Sequence, residues 1–115
     1  TKPVRSNEDA LRSILQNLIH NAILYRKKGE RATVQISVSE APTQIIIRVK
    51  DNGIGIPEKI QGRVFEMFFR GSNESEGSGL GLYLVKNAVT KLNGSVTMKS
   101  AEGAGTEFIV TLPAG

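Results

Sequence analysis

The stretch 32–50, ATVQISVSEAPTQIIIRVK, decides the fold. From Ala32 to Glu40, apolar Val34, Ile36 and Val38 alternate with polar neighbours, the period of a strand with two unlike faces. Thr43 to Lys50 carries the run Ile45-Ile46-Ile47 and then Val49. Ala41-Pro42 between them is a short connection, so the two strands read as a hairpin.

Upstream of the hairpin, Ala10, Leu11, Ile14, Leu15, Leu18, Ala22 and Tyr25 recur at helical spacing. Asn7 or Ser6 is expected to cap this helix, with Glu8 and Asp9 in its first turn. It is expected to run to about Lys28 and stop at Gly29. Downstream, the chain enters the loop Asp51-Asn52-Gly53-Ile54-Gly55-Ile56-Pro57, and then a short helix or turn over Glu58–Gln61. The apolar segment Val64–Phe69 has no clean period, and 71–79 is small and polar. A second helix starts within Gly79-Leu80-Gly81 and turns Leu82, Val85, Ala88, Val89 and Leu92 inward; Asn93-Gly94 ends it. Strands Ser95–Ser100 and Thr106–Leu112 close the chain around a turn at 102–105. Strands grouped in pairs predict an α+β, two-layer α/β sandwich whose sheet is mixed or mostly antiparallel, with helices on one face.

At 115 residues the chain is expected to be one domain, 1–115. It carries 39% hydrophobic and 23% charged residues, with four phenylalanines, two tyrosines and no tryptophan, so the core should be mainly aliphatic. The net charge of +4 is scattered; only Arg26-Lys27-Lys28 is a tight basic run, too short to argue for nucleic acid. Without cysteine there is no disulfide, thiolate metal site or cysteine nucleophile, which is compatible with a cytoplasmic location. No apolar run approaches the ~20 residues that cross a bilayer. The first residue is Thr1 rather than methionine, and the expectation is an excised fragment of a larger protein.

Three clusters have chemical content. Asn17 and Asn21, four apart, share one face at the margin of the first helix's apolar stripe. They read either as ordinary polar residues at a helix border or as ligands. An amide oxygen suits magnesium, and an amide NH₂ can donate to phosphate. Asp51 to Ile56 follows an apolar strand. It is equally a polar turn, or a carboxylate placed to accept from an exocyclic amine beside glycines that admit a flat ring. Gly77-Ser78-Gly79-Leu80-Gly81-Leu82 opens a helix, where backbone N–H groups and the dipole favour an anion. It is not a P-loop, since no Gly-Lys-Ser/Thr occurs, and Leu82 breaks the dinucleotide fingerprint. His20 is the single histidine and lies away from the asparagine face, which leaves neither a triad nor a zinc site.

In this order, the segments resemble the ATP-binding domain of bacterial sensor histidine kinases, in the wider group that includes gyrase-type ATPases and heat-shock chaperones. Ile14–Ala22 is similar to that family's N box, Asp51–Ile56 to its first glycine box, and Val64–Arg70 to its F box. Gly77–Leu82, continuing to Lys86, is similar to the second glycine box, and Gly103-Ala104-Gly105-Thr106 to the last glycine turn. The resemblance implies a Bergerat-type fold holding ATP and Mg²⁺. It implies Asn21 as the metal ligand, Asn17 beside the phosphates and metal, and Arg70 at the γ-phosphate, these three forming the catalytic set. Asp51 would take the adenine amine, with Gly53, Gly55 and Ile56 shaping the pocket and Tyr25 against the ring. Phe65 and Thr106 join the nucleotide-binding set by their motifs. Residues 71–78 would form a lid, Gly79 and Gly81 would offer backbone to the phosphates, and Gly77, Ser78, Leu80 and Leu82 join the nucleotide-binding set with them.

The implied partner is a helical domain of the parent chain, in cis or across a dimer, whose histidine receives the γ-phosphate, with a response regulator served indirectly. The parent is either soluble or an inner-membrane sensor. No acceptor segment occurs here, so the chain alone should bind ATP without phosphorylating itself. Leu24 departs from the family, which often has a basic residue there; either Lys28, one turn on along the same face, substitutes for it, or the phosphate contacts are weaker. Asn17 stands where same-fold hydrolases and anti-sigma-type serine kinases generally carry glutamate. Those two enzymes, and an interaction module that has lost its nucleotide, are the alternatives.

Overall fold

The computed structural model describes residues 4–66 and 81–113. The order is α1 (Val4–Leu24), β1 (Val34–Ala41), β2 (Gln44–Asp51), a 3-10 turn (Glu58–Arg63), α2 (Gly81–Lys91), β3 (Ser95–Ala101) and β4 (Gly105–Pro113). The four strands form one sheet in the order β1-β2-β4-β3. All of its neighbours are antiparallel, so the sheet is not mixed among the described residues.

Register explains the core. Val49 pairs with Phe108 and Phe108 with Met98; Ile47 pairs with Val110 and Val110 with Val96. Cross-strand partners point to the same side of a sheet, so these rows form one apolar face. Against it pack α1, through Ile14 and Leu18, and α2, through Val85 and Val89. The opposite face carries Arg48 beside Ile109 and Thr97, and Lys50 beside Glu107 and Lys99. Phe108 is the largest fully buried side chain among the described residues, and Phe65 meets its ring edge-on at 6.2 Å between centroids. The outer strand is covered less: Ile36 and Val38, partners of Val49 and Ile47, remain 46% and 60% exposed.

Both ends of α1 differ from expectation. It begins at Val4, so Ser6 and Asn7 lie inside the helix rather than capping it, and Glu8 and Asp9 fall beyond its first turn. At the other end it stops at Leu24, not Lys28. The cause is tertiary: the Tyr25 carbonyl, which a continuing helix would give to residue 29, accepts from Ile54 N–H at 3.0 Å instead. Arg26 closes the end by donating from Nη1 to the Ile23 carbonyl at 2.7 Å. Lys28 is therefore off the helix and exposed, and helix spacing no longer places it next to Leu24.

α2 ends as expected at Asn93-Gly94, and by a specific device. Asn93 takes φ 64°, its N–H donates to Thr90 O, and Gly94 N–H reaches back to Val89 O. That is a Schellman closure with asparagine in the left-handed position. Gly94 must lack a side chain because a Cβ there would lie 2.3 Å from Thr111 O.

Candidate functional site

At the end of the sheet nearest the last turn of α1, the strands run out into two loops packed against each other. The first, 51–57, leaves β2 at Asp51. Its Ile54 N–H donates to Tyr25 O, and its Ile54 carbonyl accepts from Gly103 N–H at 2.7 Å. Ile56 N–H donates to Ser100 Oγ at 2.8 Å. Gln61 Nε2 donates to both Ile56 O (2.8 Å) and Ser100 O (3.1 Å). The loop is thus held to α1 on one side and to the β3–β4 turn on the other.

This geometry accounts for the glycines. A Cβ on Gly53 would stand 2.6 Å from Tyr25 O, and one on Gly55, where φ is 79°, would stand 2.0 Å from Ala101 O. Gly105, with φ 88°, has the same constraint against Asp51 O at 2.1 Å. The missing side chains admit neighbouring backbone, a demand that exists before any ligand arrives.

Asp51 sits at the centre. Its Oδ1 accepts from Gly53 N–H at 2.8 Å and Thr106 N–H at 3.2 Å. No described residue donates to Oδ2. Burial, the larger influence, raises its pKa above the ordinary 3.8, and the two backbone donors pull the other way. A half-buried carboxylate with one oxygen fixed and the other open is an acceptor awaiting a donor. Thr106, 5% exposed, is the one buried polar side chain among the described residues. Asn52, by contrast, is structural: its Oδ1 accepts from Thr33 N–H and its Nδ2 donates to Arg31 O, tying in the segment that leads to β1.

The asparagines of α1 divide. Asn17 Nδ2 donates to Ser13 O at 2.8 Å, a bond to the preceding turn that leaves Oδ1 directed at α2. That oxygen stands 3.6 Å from where a Cβ on Gly81 would be. The asparagine edge of α1 and the first residue of α2 therefore face each other. Asn21, half-buried, has a side-chain amide that bonds to no described residue.

The other expected site residues are scattered. Tyr25 is half-buried, and it is its carbonyl that meets the loop. Phe65 packs its ring into the core, and Leu82 packs at the core's margin. Lys28 is exposed beyond α1. Arg70, Gly77, Ser78, Gly79, Leu80 and the expected lid over 71–78 lie outside the described residues. Among those residues no cluster of acids or histidines could hold a metal ion, so a metal here would rest on amides and ligand oxygens.

The family model for histidine kinase-, DNA gyrase B- and HSP90-like ATPases matches residues 6–115. The chain belongs to this family. The ATPase domain is 38% identical over 114 residues to the sensor histidine kinase WalK of Bacillus subtilis, covering 96% of the chain and 19% of that protein. Its fold matches a mycobacterial sensor histidine kinase, MprB, with TM-score 0.79 and 30% identity over 91% of the chain and 72% of that structure. It also matches full-length ShkA, solved in complex with AMPPNP, with TM-score 0.77 and 30% identity over 90% of the chain and 21% of ShkA. The domain thus spans about a fifth of the WalK and ShkA chains. No described helix is long and apolar enough to cross a membrane.

Sequence reasoning overlooked Ser100, Gln61 and Asn52. A signal for Ser100 was present: it and Thr106 are hydroxyl residues placed opposite each other across the final turn. For Gln61 and Asn52, whose partners are main-chain groups far along the chain, no signal existed.

Proposed function

We propose that this domain binds Mg²⁺-ATP and presents the γ-phosphate to a histidine on a helical domain of its parent chain, as one step of two-component signalling. The observation that carries the reading is Asp51. It is fixed through Oδ1 by two backbone N–H groups, meets no donor at Oδ2 among the described residues, and is desolvated enough to favour a specific donor such as the adenine amine.

The remaining residues fit the same ligand. Asn21 offers magnesium an amide oxygen that no described residue engages, and Asn17 lines the gap toward Gly81, where the triphosphate would lie at the start of α2. Thr106 borders Asp51 and shares the Ser100 hydroxyl with Ile56, and by resemblance Gly77–Leu82 supplies backbone donors and Arg70 the γ-phosphate contact. Phosphoryl transfer asks mainly for positioning and neutralised charge, which amides, backbone N–H groups and a metal provide without a base in the site. Asn17, which cannot take a proton from water, favours transfer to a nucleophile supplied elsewhere over hydrolysis. The domain is read as 1–115 of a larger sensor, cytoplasmic in location.

Isothermal titration with Mg²⁺-AMPPNP tests this. The wild-type domain binds in the micromolar range, and affinity falls when magnesium is withheld. Asn21→Ala binds weakly and with no response to magnesium. Equal binding by wild type with and without magnesium would remove Asn21 from the metal, and no binding at all would return the domain to the class of interaction modules.

A further inference from the structure

We propose that Ser100 is a positioning residue that makes the ring pocket prefer an amino-bearing purine, by fixing the proton of Thr106 and the backbone of Ile56. This rests on the proposed reading of Asp51 as the acceptor of the adenine amine, with Thr106 bound to the same carboxylate.

The three residues form a row. Ser100 pairs with Thr106 across β3 and β4, and Asp51 is one step beyond the Lys50–Glu107 pair of β2 and β4. Val49 and Phe108 place Asp51 and Thr106 on the helix-facing side, and Met98 places Ser100 there too. The row lies at the end of the sheet where the core stops.

Ser100 Oγ has three partners: Ile56 N–H at 2.8 Å, Gly105 O at 2.9 Å and Thr106 Oγ1 at 2.8 Å. A hydroxyl has one proton to give and two lone pairs with which to accept. The Gly105 carbonyl can only accept, so the Ser100 proton goes there. Its lone pairs are left for Ile56 N–H and for the proton of Thr106. Thr106 therefore spends its single proton on Ser100 and shows only lone pairs to anything else. Its own N–H is already given to Asp51 Oδ1. Carboxylate and hydroxyl beside it become an acceptor-only corner, which suits the 6-amino group of adenine and opposes the 6-oxo group of hypoxanthine.

Ser100 also sets the frame. Through Ile56 N–H, and with Gln61 bridging Ile56 O to Ser100 O, it holds the far end of the 51–57 loop at the β3–β4 turn. In Ser100→Ala both functions go at once: the loop loses an anchor, and the Thr106 hydroxyl is free to rotate and donate.

The test is titration of the wild type, Ser100→Ala and Ser100→Thr with Mg²⁺-ATP and Mg²⁺-ITP, together with amide hydrogen exchange at Ile56 in the ligand-free domain. Wild type prefers ATP. Ser100→Ala loses about tenfold in ATP affinity, the scale of one hydrogen bond, and keeps ITP affinity within about twofold, so the preference collapses. Ser100→Thr, which keeps the hydroxyl, keeps the preference. Equal loss toward both nucleotides would show a merely structural role and overturn the proposal. If the wild type bound neither nucleotide, the nucleotide reading would fail separately. Exchange at Ile56 would then decide the positioning role: faster in Ser100→Ala upholds it, unchanged defeats it.

Discussion

Asp51→Asn loses nucleotide affinity by at least about a hundredfold while the ligand-free domain melts no lower than wild type at neutral pH. The two halves of this expectation have one origin. Asparagine keeps an oxygen for Gly53 N–H and Thr106 N–H, so the loop geometry survives. Its NH₂ replaces the open Oδ2, however, and turns a donor toward the amine that would bind there. The stability half follows from the raised pKa. Burial makes the folded state hold the Asp51 proton more tightly than the unfolded chain does. Stability from this group is therefore full below 3.8 and declines as pH rises through the raised folded value. Asparagine has no such decline. Thermal melts of both proteins from pH 3 to 8 check it: the variant gains on wild type as pH rises. A variant that lost ground would mean that the carboxylate is a structural anchor first.

Gly55→Ala destabilises the domain by about 3 kcal/mol or more, whereas Gly103→Ala costs about 1–2 kcal/mol. Both glycines have φ near 80°, so both substitutions carry the strain of a left-handed alanine. They differ in surroundings. Nothing lies within 4 Å of a Cβ on Gly103, while one on Gly55 would meet Ala101 O at 2.0 Å and Ala101 C at 2.7 Å. Because the obstacle is backbone, relief requires the 51–57 loop to leave the β3–β4 turn. The Ile54–Gly103 and Ile56–Ser100 bonds go with it. Denaturant unfolding of the two variants separates the contact cost from the dihedral cost, and nucleotide titration of Gly55→Ala should show binding lost in step.

Much of the fold was legible because its signals are local. The alternation in 32–50, the helical spacing of Ile14 and Leu18, and the Asn93-Gly94 stop each reside in a few consecutive residues. What misled were positions where distant chain competes. The Tyr25 carbonyl is claimed by Ile54, and the first helix ends a turn early although 25–28 is good helical sequence. The alternation of β1 is plain in the sequence, yet nothing in it tells that Ile36 and Val38 stay exposed on the helix-facing side.

The site was legible in kind and less so in cause. Asp51, Asn17 and Asn21 stand out as polar residues at apolar margins, and the structure brings Asn17 to α2. Glycine at 53 and 55 suggests space for a ligand, but that space is first occupied by backbone of Tyr25 and Ala101. Ser100 escaped because its importance lies in having three partners on three different segments, which a linear reading does not display.

An amide NMR titration of the domain with AMPPNP, with and without magnesium, probes directly whether one ligand spans the α1 edge, the 51–57 loop and the start of α2. Shifts concentrated at Asn21, Gly53 to Ile56, Gly81 and Thr106, with the first and third groups moving only when magnesium is present, are the expected result. Saturable binding that left Asn21 and Gly81 unmoved, or that shifted Arg48, Thr97 and Ile109 on the far side of the sheet, would contradict it.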